Sequence, residues 1–472
     1  MKIKLIVSVA VLFYLLQFNF ASAHNLYLSS IIGKGEYGSK DGSVTEAIFR
    51  NPYGIAFDKE NNLYIVDSKN NMLKKVTDSK VTTVTGKIDL LDEKGLPVGT
   101  FKDGTFKDAK FNEPRNIALN FKGEFILTDT NNNLIRLVSS SKITTLAGTG
   151  EVGYKDGKNN ISKFNKPTGV DIDKNGNIYI ADTGNNIIRM ISTKLEVATF
   201  AGKYVEKGGY LDGDLQTALF NEPSDICIVG DVFYVVDSGN HAIRKIENGQ
   251  VTTIAGHVFY GETDNEYGVS DDISMDAKYS KFKFPKAITT LTDGTIVIAD
   301  TWNKKIKYID TLGNIKEFKI LTKLQDGTTQ DFGISGPIDI VELNNKLYVS
   351  DIWDNCIYVF DIEITNETEQ AVDLSRKVLN KGKITDIPVI SDETKVLLPA
   401  RKFFEQSGAI VTWISETREA VVKIEDNEYR FQVDNDNIKI VNSTMMVGIK
   451  YLNEKYKQDI VYDKTSNTIF AY

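Results

Sequence analysis

The chain has 472 residues, with 56 Lys+Arg against 64 Asp+Glu for a net charge of −8, and only two Cys and three His. The acidic balance argues against nucleic acid as the main partner, because phosphate binding needs a basic field. Cys227 and Cys356, each flanked by an isoleucine, build neither a disulfide framework nor a metal cage, and the sequence calls for no cofactor.

The chain opens with a targeting signal. Lys2 and Lys4 precede a 12-residue apolar run over residues 5–16, broken only by Ser8, and Ala21-Ser22-Ala23 is a small-x-small cleavage site. Residues 1–23 therefore read as a signal peptide, with the mature chain starting near His24. The run is shorter than the ~20 apolar residues of a membrane span, and no later stretch is long or apolar enough to be one. The residue after the cleavage site is not Cys, which argues against a lipoprotein anchor. The expectation is an exported protein, secreted or associated with the bacterial cell surface.

Six of the nine prolines then fall on one pattern. Pro52, Pro114, Pro167, Pro223, Pro285 and Pro337 are spaced by 62, 53, 56, 62 and 52 residues. Three residues before each stands Phe49, Phe111, Phe164, Phe220, Phe282 or Ile334. Fourteen or fifteen after each comes Asp67, Asp129, Asp182, Asp237, Asp300 or Asp351. Three further on are Asn70, Asn132, Asn185, Asn240 and Asn303, with Asp354 as the sixth. Seven beyond the Asp are Lys74, Arg136, Arg189, Arg244, Lys307 and Tyr358. A period of this size marks an array or a propeller.

Each unit reads as four short strands. In the third, residues 168–173, 177–181, 186–191 and 197–201 are β-rich, and Asp173-Lys-Asn-Gly176 is a hairpin turn. This is the pattern of one propeller blade. The fourth strand recurs as Val81-Thr-Thr-Val-Thr-Gly86, Ile143-Thr-Thr-Leu-Ala-Gly148 and Val251-Thr-Thr-Ile-Ala-Gly256, but the sixth unit lacks a good copy after Tyr358. The unpaired copy, Leu28-Ser-Ser-Ile-Ile-Gly33, lies at the other end of the chain. An N-terminal strand completing the last blade would close a six-bladed ring and remove its open edges.

The units resemble NHL repeats. The third reads Pro167-Thr-Gly-Val-Asp, Ile178-Tyr-Ile-Ala-Asp182 and Asn185-Asn-Ile-Ile-Arg189, and the resemblance covers roughly residues 26–362. It implies a mainly β fold, a six-bladed propeller. It leaves function open, since the family includes lyases, sensor domains and protein- or RNA-binding scaffolds.

The repeated Asp and Asn read as turn formers between the second and third strands. The Arg or Lys seven beyond the Asp reads as a solvated or blade-bridging charge. Gly148-Thr-Gly150-Glu-Val-Gly153 matches a dinucleotide fingerprint but runs into a repeated Asp-Gly element instead of a helix, and so reads as an inter-blade loop. These loops and turns share one face, where binding residues concentrate. Two of the chain's three Trp, Trp302 and Trp353, occupy equivalent turn positions in units five and six, and Tyr53 follows the proline of unit one. Exposed aromatics of this kind mark binding sites, so these three are the candidate platform for a glycan or peptide. His241 and His257 are the weak candidates for a metal or acid–base site. No Ser/His/Asp constellation stands out.

After Phe360 the pattern stops. Residues 363–385 read as a polar linker, with a short helix at 371–379. Residues 386–472 form a small α+β domain with an internal repeat, each half a short helix followed by a two-strand hairpin, and Pro399 suits a first helical turn. Leu398-Pro399-Ala-Arg401, Gly408-Ala-Ile-Val411-Thr-Trp413 and Thr417-Arg-Glu-Ala-Val421 resemble the stalk, or copper amine oxidase N-terminal-like, domain of exported bacterial proteins. That resemblance implies an accessory or spacer role and carries no copper chemistry with it. The expected function is non-catalytic binding of a protein, peptide or glycan by the loop face, at the cell envelope. The alternatives are a propeller lyase or hydrolase, and a self-associating structural component.

Overall fold

The computed structural model describes residues 22–256, 280–311 and 313–366, and beyond them the strands that lie between residues 375 and 471. The predicted signal, apart from Ser22 and Ala23, and His257 lie outside the described residues. Among the described residues no helix is long and apolar enough to cross a membrane.

Between residues 22 and 366 the described strands form six sheets arranged as six blades. Blade 3 shows the plan. Its strands Val170–Ile172, Ile178–Asp182, Ile187–Ile191 and Glu196–Ala201 pair antiparallel in chain order, and Gly157–Lys158 adds a short outer fifth strand. Blades 1, 2 and 4 repeat this plan. Blade 5 contains Ala287–Thr290, Ile296–Asp300, Lys305–Ile309 and Ile315–Glu317. Blade 6 contains Pro337–Leu343, Lys346–Asp351 and Cys356–Asn366, and its fourth strand is the N-terminal segment Ser22–Ile32. Ile32 pairs with Ile357 and Leu26 with Ile362, so the first strand of the chain closes the ring. Lys319–Lys323 then lies parallel to that strand, with Thr329–Asp331 outside it.

Strands such as Phe125–Asp129, Ile178–Asp182 and Ile296–Asp300 are buried along their whole length, so successive side chains put apolar groups on both faces of a blade and the core is divided among the clefts between blades. One cluster joins Val66 and Leu73 of blade 1 to Phe111 and Leu127 of blade 2. Around the ring the same sharing recurs, and the cluster holding Phe49 and Ile65 of blade 1 with Ile357 and Val359 of blade 6 completes the circuit. In five of the six blades a phenylalanine three residues before the proline is the largest apolar plug: Phe49, Phe111, Phe164, Phe220 and Phe282 are at most 1% exposed, and Ile334 takes the place in the sixth.

The C-terminal strands form three further sheets. The predicted hairpins are present: Ile410–Ile414 pairs with Glu419–Ile424, and Ile460–Asp463 with Thr468–Ala471. Two helix expectations are corrected. The sequence predicts a helix at 371–379, but Ser375–Asn380 is a strand paired with Lys383–Pro388. In the sequence, the apolar pair Val378-Leu379 followed by Gly382 suits a strand and turn better than a helix. Pro399 ends the strand Val396–Pro399, which pairs with Thr444–Gly448, instead of opening a helix. Residues 400–409 and 449–459, where the remaining helices were expected, lie outside the described residues.

Candidate functional site: the loop face around the channel mouth

In blades 1, 4 and 6 the proline opens the innermost strand, opposite the repeated Asp that ends the second strand, in the pairs Pro52–Asp67, Pro223–Asp237 and Pro337–Asp351, and in the others it stands just before that strand. The Asp is fully buried and anchors the loop face. In blade 3 the Asp182 carboxylate accepts hydrogen bonds from Asn165 N, Asn185 Nδ2 and Arg189 Nη1. Arg189 continues to Asp156 of the Asp-Gly element and to the Lys155 and Lys163 carbonyls, and its guanidinium lies between the Tyr154 and Phe164 rings. Blades 2 and 4 repeat this with Arg136 and Arg244, and blade 1 with Lys74. The expectation of a solvated or blade-bridging cation is therefore corrected. Lys74, Arg136, Arg189 and Arg244 are 0% exposed and tie two loops of their own blade. Burial pushes the Asp129 and Asp182 carboxyls up to about 6 and Asp67 to about 7, with the partnered cations opposing it.

The next residue of the turn links blade to blade. Asn71, Asn133, Asn186, His241 and Asn355 all adopt left-handed backbone conformations. Their side chains accept hydrogen bonds from the backbone N–H groups of Glu113, Lys166, Glu222, Phe284 and Asn51, the residues before the prolines of the following blades. Those donor residues carry φ values of 44° to 49°, unusual before proline, so the clamp holds backbone that would otherwise relax. His241 stands where the other clamps have Asn. Its Nδ1 takes the Phe284 N–H at 2.9 Å, which places the ring proton on Nε2. Among the described residues no group of three or more His, Cys, Asp or Glu is placed to hold a metal ion.

The residue after each proline stands at the mouth of the central channel: Tyr53, Arg115, Thr168, Ser224, Lys286 and Ile338. Hydroxyls of neighbouring blades fix this rim. Ser350 Oγ donates to Tyr53 O, Thr128 Oγ1 to Thr168 O and Ser224 Oγ to Lys286 O. Below the rim, Asn116 Nδ2 reaches Asp225 Oδ1 at 3.4 Å across the channel. Asp171, Asp225 and Asp339 each cap a backbone N–H of the next inner strand, at Ile228, Ile288 and Ile55. Burial pushes Asp171 up to about 6, Asp339 to about 7, and Asp225 well up, the last also by the neighbouring Asp339 charge.

The structure brings two of the three sequence-predicted aromatics together. Trp302 and Trp353 meet edge-to-face with ring centroids 6.1 Å apart, and they remain 54% and 42% exposed. Trp353 lies on the Gly336 backbone, where a Cβ would come within 2.7 Å of the indole. Tyr53 sits apart from them, under the Arg115 guanidinium at 4.6 Å. Sequence reasoning missed the residue that extends the pair. Phe284 packs 5.8 Å from Trp302 and 4.4 Å from His241, and Lys286 Nζ lies 5.8 Å from its ring. Aligning the residues beside the six prolines, where only Tyr53 was considered, would have found Phe284, Lys286 and Arg115.

A closed ring of six β-sheet blades, each with a buried Asp ending its second strand and a proline leading into its inner strand, defines an NHL-type β-propeller. The chain belongs to the family of the teneurin NHL domain, which matches residues 33–247 and 150–322. Residues 378–471 match the copper amine oxidase N-terminal domain. The chain is 28% identical over 340 residues to the chloroplastic protein Suppressor of Quenching 1 of Arabidopsis thaliana, covering 67% of this chain and 31% of that one. It is 25% identical over 360 residues to human NHL repeat-containing protein 2, covering 67% of this chain and 46% of that one. It thus spans less than half the length of these relatives. A crystal structure of a Bacteroides thetaiotaomicron protein of unknown function shares the fold at a TM-score of 0.50 and 18% identity, over 72% of this chain and 76% of that one.

Proposed function

We propose that this protein is an exported binding propeller whose loop face takes a glycan or peptide ligand at the cell envelope, with the C-terminal domain as its spacer. The observation that carries the reading is the exposed Trp302–Trp353 pair, seated on a face whose backbone is fixed blade by blade. Large aromatic surface left open on rigid scaffolding is what binding sites retain and what folding alone would bury. The apolar run and cleavage motif of residues 1–23 support export. The test is a glycan and peptide array probed with the full mature chain and with its Trp302→Ala/Trp353→Ala variant. The reading expects signals on the array that the double variant loses at unchanged thermal stability. Signals that survive the double replacement contradict it, and chelator-sensitive turnover of an arrayed compound would favour a propeller enzyme instead.

A further inference from the structure

We infer that the channel mouth, Lys286 and Arg115 beside the Phe284–Trp302–Trp353 wall, is a subsite for a carboxylate group of the ligand. This rests on the loop-face binding reading and names the chemistry of what that face takes.

The two cations lie on opposite blades, 5 and 2, each directly after its blade's proline. In a chain of net charge −8 they stand without a carboxylate in ion-pair range. Lys286 Nζ donates to the neutral Ser238 hydroxyl at 2.8 Å, and Arg115 rests on the Tyr53 ring. The repeat cations of blades 1 to 4 are treated differently: Lys74, Arg136, Arg189 and Arg244 are each held by two aspartates. Burial, then the Arg115 charge, hold Lys286 down to about 8, with Glu222 as the opposing neighbour. The acids deeper in the channel do not neutralise the pair. Asp225, Asp339 and Asp171 are engaged with backbone N–H groups, and their raised pKa values lessen their charge near neutral pH.

Two cations kept half-buried and unpaired store repulsion that an incoming anion relieves, and charge-assisted hydrogen bonds to a carboxylate are the strong kind. The aromatic wall leads directly to them. Lys286 Nζ, Phe284, Trp302 and Trp353 follow one another at 5.8, 5.8 and 6.1 Å. A ligand lying on the indoles would place an acidic substituent over the rim. An acidic sugar and a peptide C-terminus both supply such a group.

The test is calorimetric titration of the full mature chain with tetragalacturonic acid and its methyl ester, and with an aromatic tripeptide bearing a free or an amidated C-terminus. Within each pair only the carboxylate differs, so no variant is needed for the primary reading. The inference expects the acid of at least one pair to bind about tenfold or more tighter than its neutral form. It expects that difference to shrink to within about twofold in Lys286→Met/Arg115→Gln, and the pair that shows it identifies the source. Equal binding of acid and neutral forms, or no binding of any of the four, overturns it. If acid and neutral forms bind equally and Trp302→Ala/Trp353→Ala loses both, the carboxylate subsite falls while the loop-face reading stands.

Discussion

Arg189 illustrates how a single residue here carries loop geometry rather than chemistry. It is 0% exposed, yet it reaches two carboxylates, two backbone carbonyls and two rings. Replacing it with Leu leaves Asp182 buried without its cation, so chemical denaturation is expected to show a loss of about 3–5 kcal/mol. Lys174→Ala, which breaks a pair with Asp231 that is 60% and 84% exposed, should cost less than about 1 kcal/mol. A second residue-scale prediction concerns pH. The Asp339 carboxyl is raised from 3.8 to about 7 in the folded chain by burial, with the Asp225 carboxyl as its neighbour. A raised carboxyl contributes stability that is fully present below about 4 and is lost as pH rises through about 7. Melting temperatures measured between about pH 5 and 8 should therefore show a shallower pH dependence in Asp339→Asn than in the parent. An unchanged slope would remove Asp339 from the account.

Elements are joined by repeated small devices, and blade 4 gives a test of them. His241 occupies a clamp position held elsewhere by Asn71, Asn133, Asn186 and Asn355. His241→Asn should thus stay within about 0.5 kcal/mol of the parent, whereas His241→Ala strands the Phe284 N–H and should cost about 1–3 kcal/mol. A metal-site role would make Asn and Ala equally damaging to a metal-dependent activity. The closing strand offers the second element-scale prediction. Leu26 is 0% exposed in the cluster shared by blades 5 and 6, so Leu26→Ala should cost about 2–5 kcal/mol in equilibrium unfolding. The elements were largely legible beforehand. Pro167, Asp182, Asn185 and Arg189 recur at offsets that admit little besides a blade, and the orphan Leu28–Gly33 copy announced how the ring closes. The fate of Arg189 was not legible, because a cation on a strand reads as solvated until the partner aspartate 33 residues upstream is brought to it. The strand at Ser375–Asn380 was not legible either, because its short apolar stretch of sequence does not distinguish the two periods.

At the scale of the whole molecule, closure makes the loop face a fixed platform, and the six positions after the prolines converge on one rim. The indoles were visible in the sequence because Trp is rare and fell twice on one offset. Lys286 and Arg115 were not, because 47 Lys in the chain hide one that matters, and only the ring sets it opposite Arg115. The central claim is that ligand meets this face at Trp302 and Trp353. Fluorescence titration of the full mature chain in a Trp413→Phe background tests it most directly, since the two remaining tryptophans are both on that face. The account predicts that a ligand found on the array changes the intrinsic emission saturably, with the same affinity that calorimetry gives. Calorimetric binding of that ligand with no change in emission would contradict it.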